Sequence, residues 1–392
     1  GSCANARGPE VQADQRTGNS GDKGGNGLLW VLLAIAAVFV VFSPKSPHAL
    51  LGLVDWQTVG ALAGLLAITQ GVEQSGILQS TARRLLARVS NLRQLAFLLA
   101  AAAAVLAALV TNDVSLFLLV PLTRVLATQA DLPLARLVVL EALAVNAGSA
   151  LTPVGNPQNL FLWHQSGLGF GAFIWMMLPP VAIMLGWLMV AVWFLAPATP
   201  LTLSHAEPTD APCDSVRRKL QPRLLALSAV LFCGFVLALD RHWLLPGLCV
   251  VAVVYLLFFP RVLRGVDVAL LAIIALMFVD LRQLATLPWV AAQLAALPIA
   301  GGWRGYLAAV GASQLISNVP AVILLAPSVH DLPALAAGVS VGGFGCVLGS
   351  LANLIALRLA RLPHGLRDFH RISIPFLLVC GLSVGLLHLG TH

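Results

Sequence analysis

Four polar breaks interrupt the long apolar runs of this chain, two in each half, and their spacing repeats. The first half has Thr111-Asn112-Asp113 inside one apolar stretch and Gly155-Asn156-Pro157-Gln158-Asn159 in the next. The second half has Ser317-Asn318-Val319-Pro320, then Gly349-Ser350-Leu351-Ala352-Asn353. Asn112 to Asn318 and Pro121 to Pro327 are both 206 residues, which lays TNDVSLFLLVP over SNVPAVILLAP. Gly155 to Gly349 and Asn159 to Asn353 are both 194. Polar backbone at membrane depth is costly unless it lines a cavity, so paired breaks in two halves point to a transport site.

That reading needs the apolar runs to lie in a membrane, and composition supplies this. Hydrophobic residues make up 59% and charged residues 10%, with a mean hydropathy of +0.90, which excludes a soluble domain. The runs are continuous and rich in Leu, Ala and Val rather than alternating, so the fold class is an all-α polytopic membrane protein and not a β-barrel. The six cysteines form no CxxC pair and no disulfide framework.

Residues 1–27 are Gly- and polar-rich and read as a disordered tail. The first membrane repeat covers 28–196, a Pro- and charge-rich cytoplasmic linker covers 197–222, and the second repeat covers 223–390. Candidate spans are 28–42, 49–70, 133–163, 170–196, 223–240, 243–260, 266–280, 332–360 and 371–390. Two of them, 133–163 and 332–360, exceed what one straight helix needs to cross about 30 Å of hydrocarbon. Each contains a break and is expected to be a discontinuous helix. Segments 94–129 and 303–329 have apolar arms too short to span and are expected to be re-entrant helical hairpins. Residues 72–92 are basic and amphipathic and suit an interfacial helix.

Charge tests the threading. With the N-terminus in the cytoplasm and each hairpin returning to its own side, 19 of the 23 Lys and Arg fall inside. Lys45, Arg241, Arg282 and Arg304 alone remain outside, which satisfies the positive-inside rule. The net charge of +7 is then a topology signal and calls for no nucleic-acid partner. The first hairpin enters from the cytoplasm and the second from the periplasm, so the two halves are inverted repeats. The expected location is a bacterial inner membrane, with the C-terminus periplasmic.

The breaks also define the candidate site. Asn156 before Pro157 is an N-cap followed by a first-turn proline, and Ser350 can play the same role. Asn112 with Asp113, and Asn318 with Pro320, mark the start of the returning hairpin arms. Half-helix N-termini meeting near the midplane present free N–H groups and suit an anion or an oxygen-rich solute. The expected substrate cradle is Thr111, Asn112, Asn156, Asn159, Ser317, Asn318, Ser350 and Asn353. Carbonyls freed at Gly148, Gly155, Gly345 and Gly349, with the hydroxyls of Thr152 and Ser350, can instead ligate Na⁺. Asp113 repels an anion when charged, yet it can carry a coupling proton or neutralise Na⁺. Asp113, Thr152, Gly155 and Gly349 are therefore the expected ion-coupling residues. Val319 stands opposite Asp113 in the repeat, so the two halves differ in charge. Glu73, Glu141, Asp55 and Asp280 lie near expected span ends and read as interfacial; His164, His242 and His330 read as surface residues.

No GxSxG, HExxH or paired carboxylates point to an enzyme. GFGCVLG at 343–349 follows no strand and is no nucleotide loop. No Walker-type loop is present, so primary transport would need an ATPase partner chain. No cofactor is expected beyond Na⁺ or H⁺ as coupling ion.

With TNDVSLFLLVP, NAGSALTPVGNPQN, SNVPAVILLAP and GSLAN, the chain resembles the ion-transporter superfamily of arsenite-efflux permeases, citrate-type transporters and divalent-anion/sodium symporters. The resemblance runs over roughly residues 28–390 and is greatest to the arsenite-permease-like bacterial branch, whose first hairpin also bears an Asn-Asp pair. It implies a scaffold, a transport unit that moves as a body by alternating access, and often a homodimer. Dicarboxylate symporters carry Ser-Asn-Thr at both tips; here those positions read Thr111-Asn112-Asp113 and Ser317-Asn318-Val319. The expected function is secondary transport of a small inorganic anion or oxyacid such as arsenite. Na⁺/H⁺ antiport is the main alternative, and a dicarboxylate symporter or a channel remain further ones.

Overall fold

The computed structural model describes residues 21–42, 46–109, 111–201, 220–241, 243–285, 287, 289, 292, 301–362 and 364–389. Most of the expected tail (1–20) and linker (202–219) lies outside them, as does His242. Among the described residues the chain is helical with no strand; one isolated bridge joins Asn91 to Pro200. A bilayer leaves backbone groups no water to bond, and a helix satisfies them within its own segment.

The first half comprises α1 (Gly21–Phe42), α2 (Pro47–Leu51), α3 (Trp56–Gln74), α4 (Ile77–Leu86), α5 (Leu92–Leu109), α6 (Asn112–Ala130), α7 (Leu134–Ser149), α8 (Pro157–Ser166) and α9 (Phe170–Leu195). The second comprises α10 (Pro222–Asp240), α11 (Leu244–Phe258), α12 (Pro260–Arg264), α13 (Val268–Ala285), α14 (Gly302–Ile316), α15 (Asn318–Leu325), α16 (Leu332–Gly342), α17 (Leu351–Ala360) and α18 (Gly365–Gly385). A short 3₁₀ turn, Val347–Gly349, precedes α17. The helix ends fall at the polar breaks. Five helices (α5, α6, α9, α10 and α18) are long and apolar enough to cross a membrane. Trp175, Phe194, Leu257 and Leu382 stand exposed on the outer faces, as in a multi-pass membrane protein whose outside meets lipid.

One expectation changes. The arms of the first hairpin are not short: α5 has 18 residues and α6 has 19. α5 begins at Leu92, two residues before the expected arm, and α6 begins within the polar tip, at Asn112. Arg93 donates to the Ala196 carbonyl at 3.1 Å and lies over the Trp193 ring, and Arg124 pairs with Glu73 at 3.7 Å. Arm length therefore does not by itself make this hairpin re-entrant. The second hairpin keeps short arms, with 15 residues in α14 and 8 in α15.

α4 is amphipathic along its length. Leu78, Ala82 and Leu86 recur at helical spacing on its buried face. Ala82 and Leu86 pack with Leu95, Leu99 and Leu126 at the outer end of the first hairpin. Its opposite face carries exposed Arg83 and Arg84.

Packing sorts the helices into two groups. One contains α1, α3, α10, α11, α12 and α13. The other contains α5 to α9 and α14 to α18, with α7 at its centre against α5, α6, α9, α17 and α18. α3 and α13 form the seam, touching α6, α14, α15 and α17. Two ion pairs cross it: Glu73 of α3 to Arg124 of α6, and Asp267 just before α13 to Arg358 of α17 at 3.4 Å.

Candidate functional site

The two breaks share one device, an asparagine amide that reaches back to the unwound segment before it. Asn156 adopts an extended backbone ahead of Pro157, and its side-chain oxygen accepts from the Asn159 N–H at 2.8 Å, so it caps α8. The Asn159 amide then reaches back ten residues and donates to the carbonyls of Ser149, Ala150 and Thr152 at 3.3, 2.9 and 3.1 Å. In the second half Asn353 also reaches back ten residues, donating to the Gly343 carbonyl at 2.8 Å. One amide thus ties the unwound segment to the half-helix that follows it.

The hairpin tips dock on these breaks. The Asn112 N–H donates to the Gly155 carbonyl at 2.9 Å, and the Thr152 hydroxyl donates to the Ala108 carbonyl at 2.7 Å. Asn318, with its amide nitrogen turned toward acceptors, donates to the Gly349 carbonyl at 2.7 Å, to the Val339 carbonyl at 2.9 Å and to the Ser313 hydroxyl at 3.3 Å. Tip asparagine to break glycine is the shared contact of both halves. Thr111 caps α6 by accepting from the Val114 N–H at 3.3 Å. Ser317 holds a left-handed φ of 69°, a strained setting for a residue with a Cβ.

Some expected roles differ. Ser350 occupies the N-cap position of α17 but makes no side-chain cap; its hydroxyl instead donates across to Oδ1 of Asn146 at 2.9 Å. Asn146, on α7, donates to Oδ1 of Asn353 at 2.7 Å. This residue, absent from the expected cradle, ties one broken helix to the other. Its one signal was its place in the NAGSALTPVGNPQN stretch. Gln314 was missed too: it donates to the Gly342 carbonyl and accepts from the Cys346 N–H at 2.6 Å, bracing the second unwound segment. It lies one turn before the tip at Asn318.

The cradle is buried and neutral apart from Asp113. Asn112, Asn146, Asn156, Asn159, Asn318, Ser350 and Asn353 are all buried. Most of their polar atoms satisfy one another. Two oxygens do not: Oδ1 of Asn159 and Oδ1 of Asp113 are shielded from solvent and have no hydrogen-bond partner. Such acceptors fit a hydroxyl donor or a small cation. The structure holds Thr111, Asn112, Thr152, Gly155, Asn156 and Asn159 together on one side. It gathers Ser317, Asn318, Gly349, Ser350 and Asn353 on the other, and Asn146 joins the two.

Of the acids expected near interfaces, Asp55 caps α3 and Glu73 pairs with Arg124. Glu141 is different: it is 1% exposed in the middle of α7, where the Thr123 hydroxyl donates to its Oε1. Asp280 is also buried, on α13, and neither of its oxygens has a partner. Both lie deep because their helices are enclosed by other helices. Distance from the end of an apolar run is a poor measure of depth there. His164 and His330 are exposed. Among the described residues no cluster of His, Cys, Asp or Glu could hold a metal ion.

A family profile described as citrate transporter matches residues 25–384. The chain belongs to the citrate transporter family. It is a membrane transporter and not an enzyme, in keeping with the superfamily resemblance read from its breaks. The chain is similar to known proteins along most of its length. It is 41% identical to the inner membrane protein YbiR of Escherichia coli, over 90% of this chain and 92% of that protein. It is 29% identical to the uncharacterized transporter MJ0456 of Methanocaldococcus jannaschii, over 84% of this chain and 88% of that one. A partial match, 28% identical over 38% of this chain and 31% of the other, is to the silicon efflux transporter LSI3 of Oryza sativa subsp. japonica.

Proposed function

We propose that this transporter moves a small inorganic oxyacid or anion of the arsenite type across a bacterial inner membrane, by alternating access coupled to H⁺ or Na⁺. The observation that carries the reading is the pair of bare oxygens, Asn159 Oδ1 and Asp113 Oδ1, in a cradle whose other buried polar groups are mutually bonded. A neutral oxyacid brings hydroxyl donors that such acceptors bind. A fully charged tricarboxylate would need compensating cations, and the cradle residues named above include no Lys or Arg. The rice relative's name, a silicon efflux transporter, supports a small inorganic solute and outward movement.

In this reading Thr111, Asn112, Asn156, Asn159, Ser317, Asn318, Ser350 and Asn353 hold the substrate. Asp113 carries the coupling charge, and Thr152 with the carbonyls of Gly155 and Gly349 completes the ion-coupling set. The two helix groups that meet at α3 and α13 are scaffold and moving unit. The charge distribution supports a cytoplasmic N-terminus and a periplasmic C-terminus, and the name of the Escherichia coli relative supports the inner membrane. A homodimer is part of the proposal; an ATPase partner is not required by it.

Na⁺/H⁺ antiport is the second reading, favoured by the same bare Asp113 oxygen, and the family's name keeps citrate in the substrate panel. Purified protein in proteoliposomes separates them. Arsenite flux driven by a pH or Na⁺ gradient is expected. Citrate flux in its place, or Na⁺-dependent pH change with no solute moved, would replace the leading reading.

A further inference from the structure

Outside the cradle, one buried acid is built into the packing of two helices that also carry cradle residues. Glu141 of α7 is 1% exposed and Thr123 of α6 is fully buried. The Thr123 hydroxyl donates to Oε1 of Glu141, while Oε2 is shielded from solvent and has no partner. Glu141 lies five positions before Asn146, which bridges the halves, and Thr123 lies ten beyond Asp113 at the hairpin tip.

We infer that Glu141 is a second proton-binding site of this transporter, holding an exchangeable proton at Oε2 with Thr123 orienting the carboxyl group. Uptake adds H⁺ from the aqueous phase to the carboxylate, forms the Oε2–H bond and removes the charge; release reverses it. A carboxylate with a single hydrogen bond is costly in such a place, and neutralisation by a proton removes that cost. A bound Na⁺ would need several oxygens, and among the described residues Thr123 supplies the only side-chain oxygen bonded to Glu141.

The neighbouring charges leave this group alone. α6 carries Asp113 and Arg124, α5 carries Arg93, and α17 carries Arg358. α18 carries Arg367, Asp368, His370 and Arg371 near its start, and Cys380 further along; α9 and α16 carry no titratable side chain. On α7 itself Arg136 donates to the Leu195 carbonyl at 2.7 Å. Arg93 is taken by Ala196, Arg124 by Glu73 and Arg358 by Asp267. His370 accepts from the Val347 N–H at 3.1 Å. None of these groups forms an ion pair with Glu141.

This site goes beyond the transport reading, and its test does not depend on knowing the substrate. Full-length protein in phosphatidylethanolamine/phosphatidylglycerol vesicles is titrated with pH by infrared difference spectroscopy in H₂O and in D₂O. The expected result is a carboxylic-acid carbonyl band that vanishes at alkaline pH, shifts in D₂O, is retained in Asp113→Asn and is lost in Glu141→Gln. Thr123→Val should move that band to higher frequency, which keeps the test decisive if Glu141→Gln fails to fold. A band indifferent to both Glu141→Gln and Thr123→Val, or one that never exchanges with D₂O, overturns the proposal. Loss of the band in Glu141→Gln alongside absent arsenite flux would uphold this site while removing the substrate reading.

Discussion

The amide nitrogen of Asn146 lies 2.7 Å from Oδ1 of Asn353, a residue 207 positions further along the chain. With the Ser350 hydroxyl on its other end, at 2.9 Å from Oδ1, the Asn146 side chain spans the two broken helices. The half-helices α7 and α17, one from each half, are thereby joined through a single side chain.

Removing that group should be costly. Asn146→Ala strands buried acceptors and donors on Ser350 and Asn353, and an unsatisfied buried polar group costs about 1–3 kcal/mol. Thermal unfolding in detergent should show a lowered Tm. Asn146→Ala combined with Asn353→Ala should lose less than the sum of the two singles, because they remove one network. Strict additivity would mean that the bridge carries no energy.

Asp113 is expected to separate binding from coupling. Asp113→Asn preserves the shape of the hairpin tip but cannot change charge. Arsenite-dependent thermal stabilisation should persist, while flux driven by a pH gradient falls at least tenfold. If gradient-driven flux in the variant equals that of the parent, Asp113 is not the coupling residue.

The two ion pairs across the seam make a graded prediction. Each is partly exposed, so each contributes little to global stability, about 0–1 kcal/mol. Glu73→Gln and Asp267→Asn should leave the Tm nearly unchanged. Both alter the relative stability of the states in which the seam is closed and open, so turnover in proteoliposomes should change by up to about fivefold. Unchanged turnover in the double variant would argue that the seam does not open during transport.

Gly148 offers a steric test. A Cβ there would run into the Ala104 backbone where α5 meets α7. Gly148→Ala must push two helices apart, and overpacking of this kind costs about 1–3 kcal/mol. A clear fall in Tm is expected, whereas Gly186→Ala, with open space around it, should be silent. Equal effects at the two positions would contradict the close approach of α5 and α7.

What could be read from the sequence follows the range of each interaction. The cap at Asn156 and the break before Pro157 were legible because a cap is made within one turn. The tip at Thr111 was legible for the same reason. Asn146 was not, because its partners are 204 and 207 residues away and nothing local marks it. Glu141 was misplaced at an interface because α7 is wrapped by other helices on all sides, which run length cannot express. The length of α6 was underestimated because Asn112 and Asp113, read as a polar tip, are its first two residues, capped by Thr111.

The bridge through Asn146 is made in one direction only. The position 194 residues on is Ser340, whose hydroxyl donates to the Ala336 carbonyl within its own helix at 2.8 Å and, among the described residues, makes no hydrogen bond to the other half. Equivalent halves would make two such bridges or none, so one half here holds and the other is held. The two halves are then unequally constrained: a substitution at Ser350 or Asn353 strands a group of Asn146, while one at Ser340 is felt within its own helix.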